Sequence, residues 1–245
     1  MSVPAFETLL FDKQGPIARI TLNRPAVVNA FNVQMRDDLW EVLHAVRDDP
    51  DVRAVVLRGA GLKGFCTGAD LTEFGSAPSQ EAARRVRWER DVFGLLLDLP
   101  KPTLAALHGH VIGSGVEIAC LCDIRVAADD AQFSMPETSL GLVPAAGGTQ
   151  TLPRLLRPGR ASEMLLAGWR LDAAQARRWG LVQYVASSRE FDAAVDRIAS
   201  RLAALDSHAA AAAKRAVKAA LNLPLAAGLD LEGRELRRLL VGAPA

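Results

Sequence analysis

The chain has 245 residues, half of them hydrophobic and 23% charged, which supplies one sizeable core and argues against disorder. Its 29 basic and 28 acidic residues give a formal net charge of +1, leaving no electrostatic case for nucleic acid or for an anionic membrane. No apolar run approaches the roughly 20 residues of a transmembrane span, and residues 1–7 lack the basic-then-apolar pattern of a secretion signal.

Residues 6–12 and 17–23 are β-rich runs around Gln14-Gly15-Pro16 and are expected to form a hairpin. Asn32 is placed to cap a helix over residues 33–47, with Met35, Leu39, Val42, Leu43 and Val46 on one face. Residues 52–57 form a β-branched strand, followed by a glycine-rich loop over 59–69 and a partly helical start at 70–74. Residues 75–79 read as a mobile loop, and 80–98 as one long amphipathic helix, apolar at Val86, Phe93, Leu96 and Leu97. Lys101-Pro102 then introduces a strand at 103–107, a turn punctuated by Gly109, Gly113 and Gly115, and an apolar helix with Glu117 in its first turn. Residues 124–127 and 132–134 are short strands, and 135–138 and 141–148 are loop-rich. Residues 149–156, 161–166 and 173–179 are helical, and 181–185 is a last strand. From Arg189 onward the chain is alanine-rich and helical, over 191–205, 209–221 and 225–241. No internal repeat is evident. The order predicts one α/β core over 1–188 and a helical oligomerisation arm over 189–245 that packs on something larger. Three cysteines, Cys66, Cys120 and Cys122, form no even disulfide framework, so a reducing, cytoplasmic setting is expected.

Several motifs suggest chemistry. Gly59, Gly61 and Gly64 spell G-x-G-x-x-G after a strand, but Phe65-Cys66-Thr67-Gly68-Ala69-Asp70 breaks up as turn, where a dinucleotide site needs a helix. Ser114 has glycines as immediate neighbours, whereas a nucleophile elbow needs them two residues away, and position 112 is Ile. His108 and His110 alternate on one strand face without a third ligand at metal-site spacing, so no metal is expected. The carboxylates read better. Strand, glycine turn and helix start place free N–H groups where an anion can sit. Glu117 lies in an apolar run where an unpaired charge is costly, and Glu137 follows Met135-Pro136 in another apolar context. Salt-bridged or capping acids are the plainer reading; beside a backbone anion site, the two make a coherent acid/base pair.

An ordered set of segments then carries a resemblance. It comprises Asn23-Arg24-Pro25 with Asn29-Ala30, Phe65 through Asp70, Lys101-Pro102, Gly109 through Ala119, and Cys122-Asp123-Ile124-Arg125. Pro136-Glu137 with Gly141-Leu142, Gly147-Gly148-Thr149-Gln150, Gly168 and residues 173–181 complete it. Over roughly residues 5–205 the chain resembles the crotonase superfamily, the enoyl-CoA hydratases and isomerases. The interval 137 − 117 = 20 is the hydratase arrangement.

The resemblance implies a β-β-α spiral core with a helical C-terminal arm, an acyl-CoA thioester substrate, and no cofactor beyond the coenzyme A that the substrate carries. It implies oxyanion-hole N–H groups at Ala69 and at Ser114, where many relatives have glycine. Glu117 would activate water for attack on the β-carbon and Glu137 would protonate the α-carbon. Substrate contacts are implied at Arg24, Ala26, Val28, Ala30, Gly68, Asp70, Leu71, Gly113, Pro136, Gly141 and Gly147, with Phe74 and Trp88 as acyl-pocket walls. Relatives usually carry a further helical segment with a basic, aromatic tail that helps close the site. Residues 209–240 are expected to make the contacts of a homotrimer or dimer of trimers. The competing readings are a double-bond isomerase on the same scaffold, a non-catalytic binding protein such as an RNA-binding relative, and a serine hydrolase using Ser114.

Overall fold

The computed structural model describes residues 6–75 and 77–242. β1 (Leu9–Gln14) and β2 (Ile17–Leu22) pair as the expected antiparallel hairpin. Asn32 caps α1 (Val33–Asp48) by accepting from the Met35 N–H at 3.0 Å, and the anticipated face from Met35 to Val46 is buried. The chain then three times lays one strand in a main sheet and the next in a smaller sheet. These pairs are β3 (Ala54–Gly59) with β4 (Gly64–Cys66), β5 (Thr103–Leu107) with β6 (His110–Ile112), and β7 (Ile124–Ala128) with β8 (Gln132–Ser134). β9 (Leu171–Asp172) closes the small sheet, ordered β4-β6-β8-β9. β10 (Tyr184–Ala186) closes the main one, ordered β1-β2-β3-β5-β7-β10. Apart from the hairpin and the β8–β9 edge, neighbouring strands are parallel.

Helices return the chain between turns of this spiral: α2 (Gln80–Glu89), α3 (Val92–Asp98), α4 (Ser114–Leu121) and α5 (Gly148–Leu156). Alternation along the main strands divides the core. Val55, Leu57, Ala105 and Leu107 face α1, α3 and α4, while Ala54, Val56, Leu104 and Ala106 face α8 (Phe191–Ala203) through Phe191, Val195 and Ala199. Between α5 and α8 lie α6 (Pro158–Leu165) and α7 (Ala173–Trp179), the latter started by a capping box of Asp172 and Gln175. α9 (Ser207–Ala219) and α10 (Leu225–Gly242) follow as an arm whose apolar side chains are largely exposed. Among the described residues, no helix is long and apolar enough to cross a membrane.

The structure differs from the sequence reading in several places. Residues 59–69, expected as loop, contain β4, which is too short for a visible period and is buried throughout. The expected helix 80–98 is two helices, because the Asp91 side chain caps α3 through the Gly94 N–H at 3.0 Å. The last strand is β10 and not residues 181–185, since Leu181 and Val182 sink into the core before pairing begins at Tyr184. His108 and His110 share no strand face. Gly109 turns between β5 and β6, His108 Nε2 bonds the Gly61 carbonyl at 2.8 Å, and His110 is exposed. Ser76 and the Val86 side chain lie outside the described residues. The three cysteines are free and buried, and burial pushes their thiols up to about 12, 11 and 12 for Cys66, Cys120 and Cys122.

Candidate active site

Three neighbouring parallel strands of the small sheet deliver the site. In register, Ile112 at the end of β6 stands opposite Ser134 at the end of β8, and β4 flanks β6 on its other side. All three chains therefore leave the sheet at their carboxyl ends, the edge where open parallel sheets place ligands. Gly68-Ala69 follows β4, Gly113-Ser114 and Glu117 follow β6, and Pro136-Glu137 follows β8. The Gly113 N–H donates to the Ser134 carbonyl at 3.0 Å, tying the last two exits together.

Backbone geometry leaves two N–H groups available there. Phe31 and Ala69 form a parallel bridge in which the Phe31 N–H donates to the Gly68 carbonyl (2.8 Å) and the Asp70 N–H to the Phe31 carbonyl (2.9 Å). The Ala69 N–H consequently faces away from Phe31. Ser114 is the first residue of α4, so its N–H is one of the helix's unpaired donors. Gly68 keeps the space before them open. Its φ is +95°, and a Cβ there would stand 3.5 Å from the Ser114 nitrogen and 3.2 Å from the Ile112 oxygen. Gly113, at φ +53°, is similarly constrained, since a Cβ would lie 2.8 Å from Glu137 Oε1.

The two acids are held differently. Glu117 is 1% exposed, and its Oε1 accepts from the Ala146 and Gly148 N–H groups, each at 2.8 Å. Gly148 opens α5, so one of these donors is a helix-start amide. Glu137 begins a 3-10 turn over Glu137–Leu140; its Oε2 is buried without a hydrogen-bond partner among the described residues. Burial raises the Glu137 pKa, and the nearby Glu117 carboxylate acts in the same direction. Both acids line a cavity of about 450 Å³ together with Gly68, Ala69, Gly113, Ser114, Pro136 and Leu71. The remaining wall is mostly apolar, including Phe31, Phe74, Val92, Phe93, Leu140 and Val143.

Other anticipated residues lie off this wall. Arg24 donates through Nη1 to the Ala30 carbonyl (2.6 Å) and to Asp70 Oδ2 (2.9 Å), bracing the segment that carries Ala26 and Val28. Bonds from Thr72 and then Arg24 hold the Asp70 carboxyl below its usual range. Gly141 caps the 3-10 turn, and Gly147 precedes α5. Phe74 does line the cavity, whereas Trp88 is 81% exposed and does not. Sequence reasoning missed Ala146 and Gly148 as donors to Glu117; backbone donors carry no side-chain signature. It also missed Asn29 as an organiser. Asn29 is fully buried at φ +56°, accepts from the Arg24 N–H (2.9 Å) and donates to the Ala60 (2.9 Å) and Gly64 (3.1 Å) carbonyls.

With this geometry in place, comparison with known proteins adds three findings. Residues 12–240 match the family described as enoyl-CoA hydratase/isomerase. A crotonyl-CoA hydratase of Syntrophomonas wolfei is 34% identical over 228 residues, 93% of this chain and 88% of that one. A short-chain-enoyl-CoA hydratase of Clostridium acetobutylicum is 34% identical over 224 residues, 91% and 86% of the two chains. A crystal structure of a Thermobifida fusca protein in complex with CoA superposes with a TM-score of 0.90 at 34% identity, covering 98% of this chain and 97% of that one.

Proposed function

The chain belongs to the enoyl-CoA hydratase/isomerase family, and from that membership and its paired acids we infer that it is an enoyl-CoA hydratase. It adds water reversibly across the α,β double bond of a 2-enoyl-CoA thioester. The observation that carries the reading is the pair itself. Glu117 is pinned by two backbone donors, and Glu137, whose own pKa is raised by burial, lines the same cavity.

The thioester carbonyl accepts hydrogen bonds from the Ala69 and Ser114 N–H groups, which hold the negative charge that develops during addition. Glu117, oriented through Oε1, takes a proton from water with its other oxygen while the water oxygen bonds to the β-carbon. The π electrons move toward the carbonyl to give an enolate, and the α-carbon takes its proton from Glu137. A raised pKa suits Glu137 to this step, because it keeps the proton further toward neutral pH. Proton exchange between the acids resets the pair. Only water and the ester are consumed, so the reaction needs no metal and no cofactor beyond the coenzyme A of the substrate.

The exposed Val217, Leu221, Leu225, Leu229, Leu236 and Leu240 on and between the last two helices support a homotrimer or dimer of trimers, which sedimentation equilibrium tests. The near-neutral charge weighs against an RNA-binding role, and the three buried free thiols favour a reducing, cytoplasmic compartment.

The deciding assay incubates the protein with crotonyl-CoA and follows loss of the conjugated thioester absorbance, with mass detection of the 3-hydroxyacyl product. Absence of hydration by folded protein, with conversion of a 3-enoyl-CoA to a 2-enoyl product, would move the assignment to the isomerase. Ser114→Ala addresses the serine hydrolase: that substitution removes a nucleophile and keeps a backbone donor.

A further inference from the structure

Arg36 and Arg90 also line the cavity, yet the hydration chemistry uses neither. Arg36 lies in the first turn of α1, and Arg90 lies in the break between α2 and α3. Asp37 brackets both. Its Oδ1 accepts from Arg36 Nε (2.9 Å) and Nη2 (2.7 Å) and pairs with Arg90 Nη1 (3.0 Å). One carboxylate thus faces two guanidiniums. Arg36 Nη1 and Arg90 Nη2 bond no acceptor among the described residues. The other acid on this side of the wall, Asp91, is committed to capping α3.

Arg36 is largely buried, with 19% of its side chain exposed, so its donors cannot all be hydrated once the cavity is filled. An alkyl tail laid against it would strip water from a cation and return no hydrogen bond. A carboxylate in the same place would meet a planar fork already oriented by Asp37. The arginines come from different elements than the reacting acids: Arg36 from α1 and Arg90 from the break before α3, against Glu117 in α4 and Glu137 after β8. Arg24, Ala26, Val28 and Ala30, among the expected substrate contacts, are not part of the cavity wall, and the mostly apolar wall that is present suits the acyl group.

We propose that Arg36, oriented by Asp37 and joined by Arg90, recognises a carboxylate at the far end of the acyl group, making ω-carboxy 2-enoyl-CoA esters the preferred substrates. The inference rests on the hydratase reading and names the substrate class of that same site.

The test compares ω-carboxy 2-enoyl-CoA esters, short to medium in length, each with the unsubstituted ester of equal chain. The quantity read is the ratio of kcat/KM within each pair, so a loss common to both members cancels. Wild type should favour the carboxy ester at one chain length by about tenfold or more. Arg36→Met should cut that ratio about 10- to 100-fold, the worth of a hydrogen bond to a charged group, and Arg36→Lys should retain part of it. A preference for the unsubstituted ester at every length overturns the proposal. So does a ratio that Arg36→Met leaves unmoved while circular dichroism shows a folded variant. If wild type hydrates neither member of any pair, the hydratase reading fails separately. Competitive binding of the paired saturated esters then decides: tighter binding of the carboxy ester that Arg36→Met abolishes sustains the proposal, and equal binding ends it.

Discussion

Replacing Glu117 with Gln keeps an oxygen where Oε1 accepts the Ala146 and Gly148 N–H bonds, while removing the carboxylate proposed to take a proton from water. Loss of a general base costs about 10²–10⁴ in rate, or about 3–5 kcal/mol on the barrier at about 1.36 kcal/mol per tenfold. The fold should barely notice, because the amide oxygen is a weaker acceptor but an easier group to bury. Glu117→Ala behaves differently. It leaves the buried Gly148 N–H and the partly buried Ala146 N–H without an acceptor, at up to about 1–3 kcal/mol each. For a chain of this length about 2–4 °C accompanies each kcal/mol, so its melting temperature should fall by on the order of 10 °C. Thermal melts followed by circular dichroism, run beside crotonyl-CoA hydration, measure both effects. A Gln variant with more than about a tenth of wild-type activity would remove Glu117 from the proton transfer. An Ala variant that melts with the Gln variant would mean that the 144–148 segment does not depend on Glu117.

Three further outcomes follow from the same geometry. Ser114→Pro removes the N–H at the first position of α4, where proline is tolerated; hydration should fall about 10²–10³-fold in a protein that still melts cooperatively, and retained activity would refute the backbone donor. Because the Glu137 pKa is raised in the folded state, the unfolded chain binds fewer protons from about pH 4.3 up to that raised value, and this group's contribution to stability falls as pH rises. The denaturant midpoint of Glu137→Gln relative to wild type should therefore increase from acid to neutral pH, and a flat difference would contradict the raised pKa. Asn29→Ala orphans the Arg24 N–H and puts alanine at a position held at φ +56°, and should cost about 2–4 kcal/mol, read as a shifted urea midpoint; a shift under about 1 kcal/mol would show that the 24–30 segment holds itself.

Legibility tracked the length of the element and the kind of atom involved. α1 showed its period because it runs long enough to repeat a buried face from Met35 to Val46, whereas β3, buried on both faces from Ala54 to Leu57, was legible by its β-branched composition. β4, β6 and β9 have three residues or fewer, and Gly64-Phe65-Cys66 is buried on every side, so no alternation exists to read. The spiral's repeat is hidden by unequal spacing: β5 starts 49 residues after β3 (103 − 54), whereas β7 starts 21 after β5 (124 − 103). Glu117 and Glu137 were visible as acids in apolar runs, but the Ala146 and Gly148 donors belong to the backbone. Arg36 reads as solvated helix surface until α3 closes the cavity beside it.

The short strands that hid the small sheet also place the two cavity acids. β6 and β8 are in register and three residues long, and each gives way at once to a turn, so Glu117 comes five residues after Ile112 and Glu137 three after Ser134. A strand advances about 3.3 Å per residue. Two more residues in β8, the smallest insertion that restores side-chain facing, would carry Glu137 about 7 Å onward while Glu117 stayed pinned by Ala146 and Gly148. Glu137 would then leave its place beside Gly113, where its Oε1 occupies the space a Cβ would take. Two short parallel strands ending level therefore set how soon after its own strand each acid must come for the two carboxyls to share one cavity.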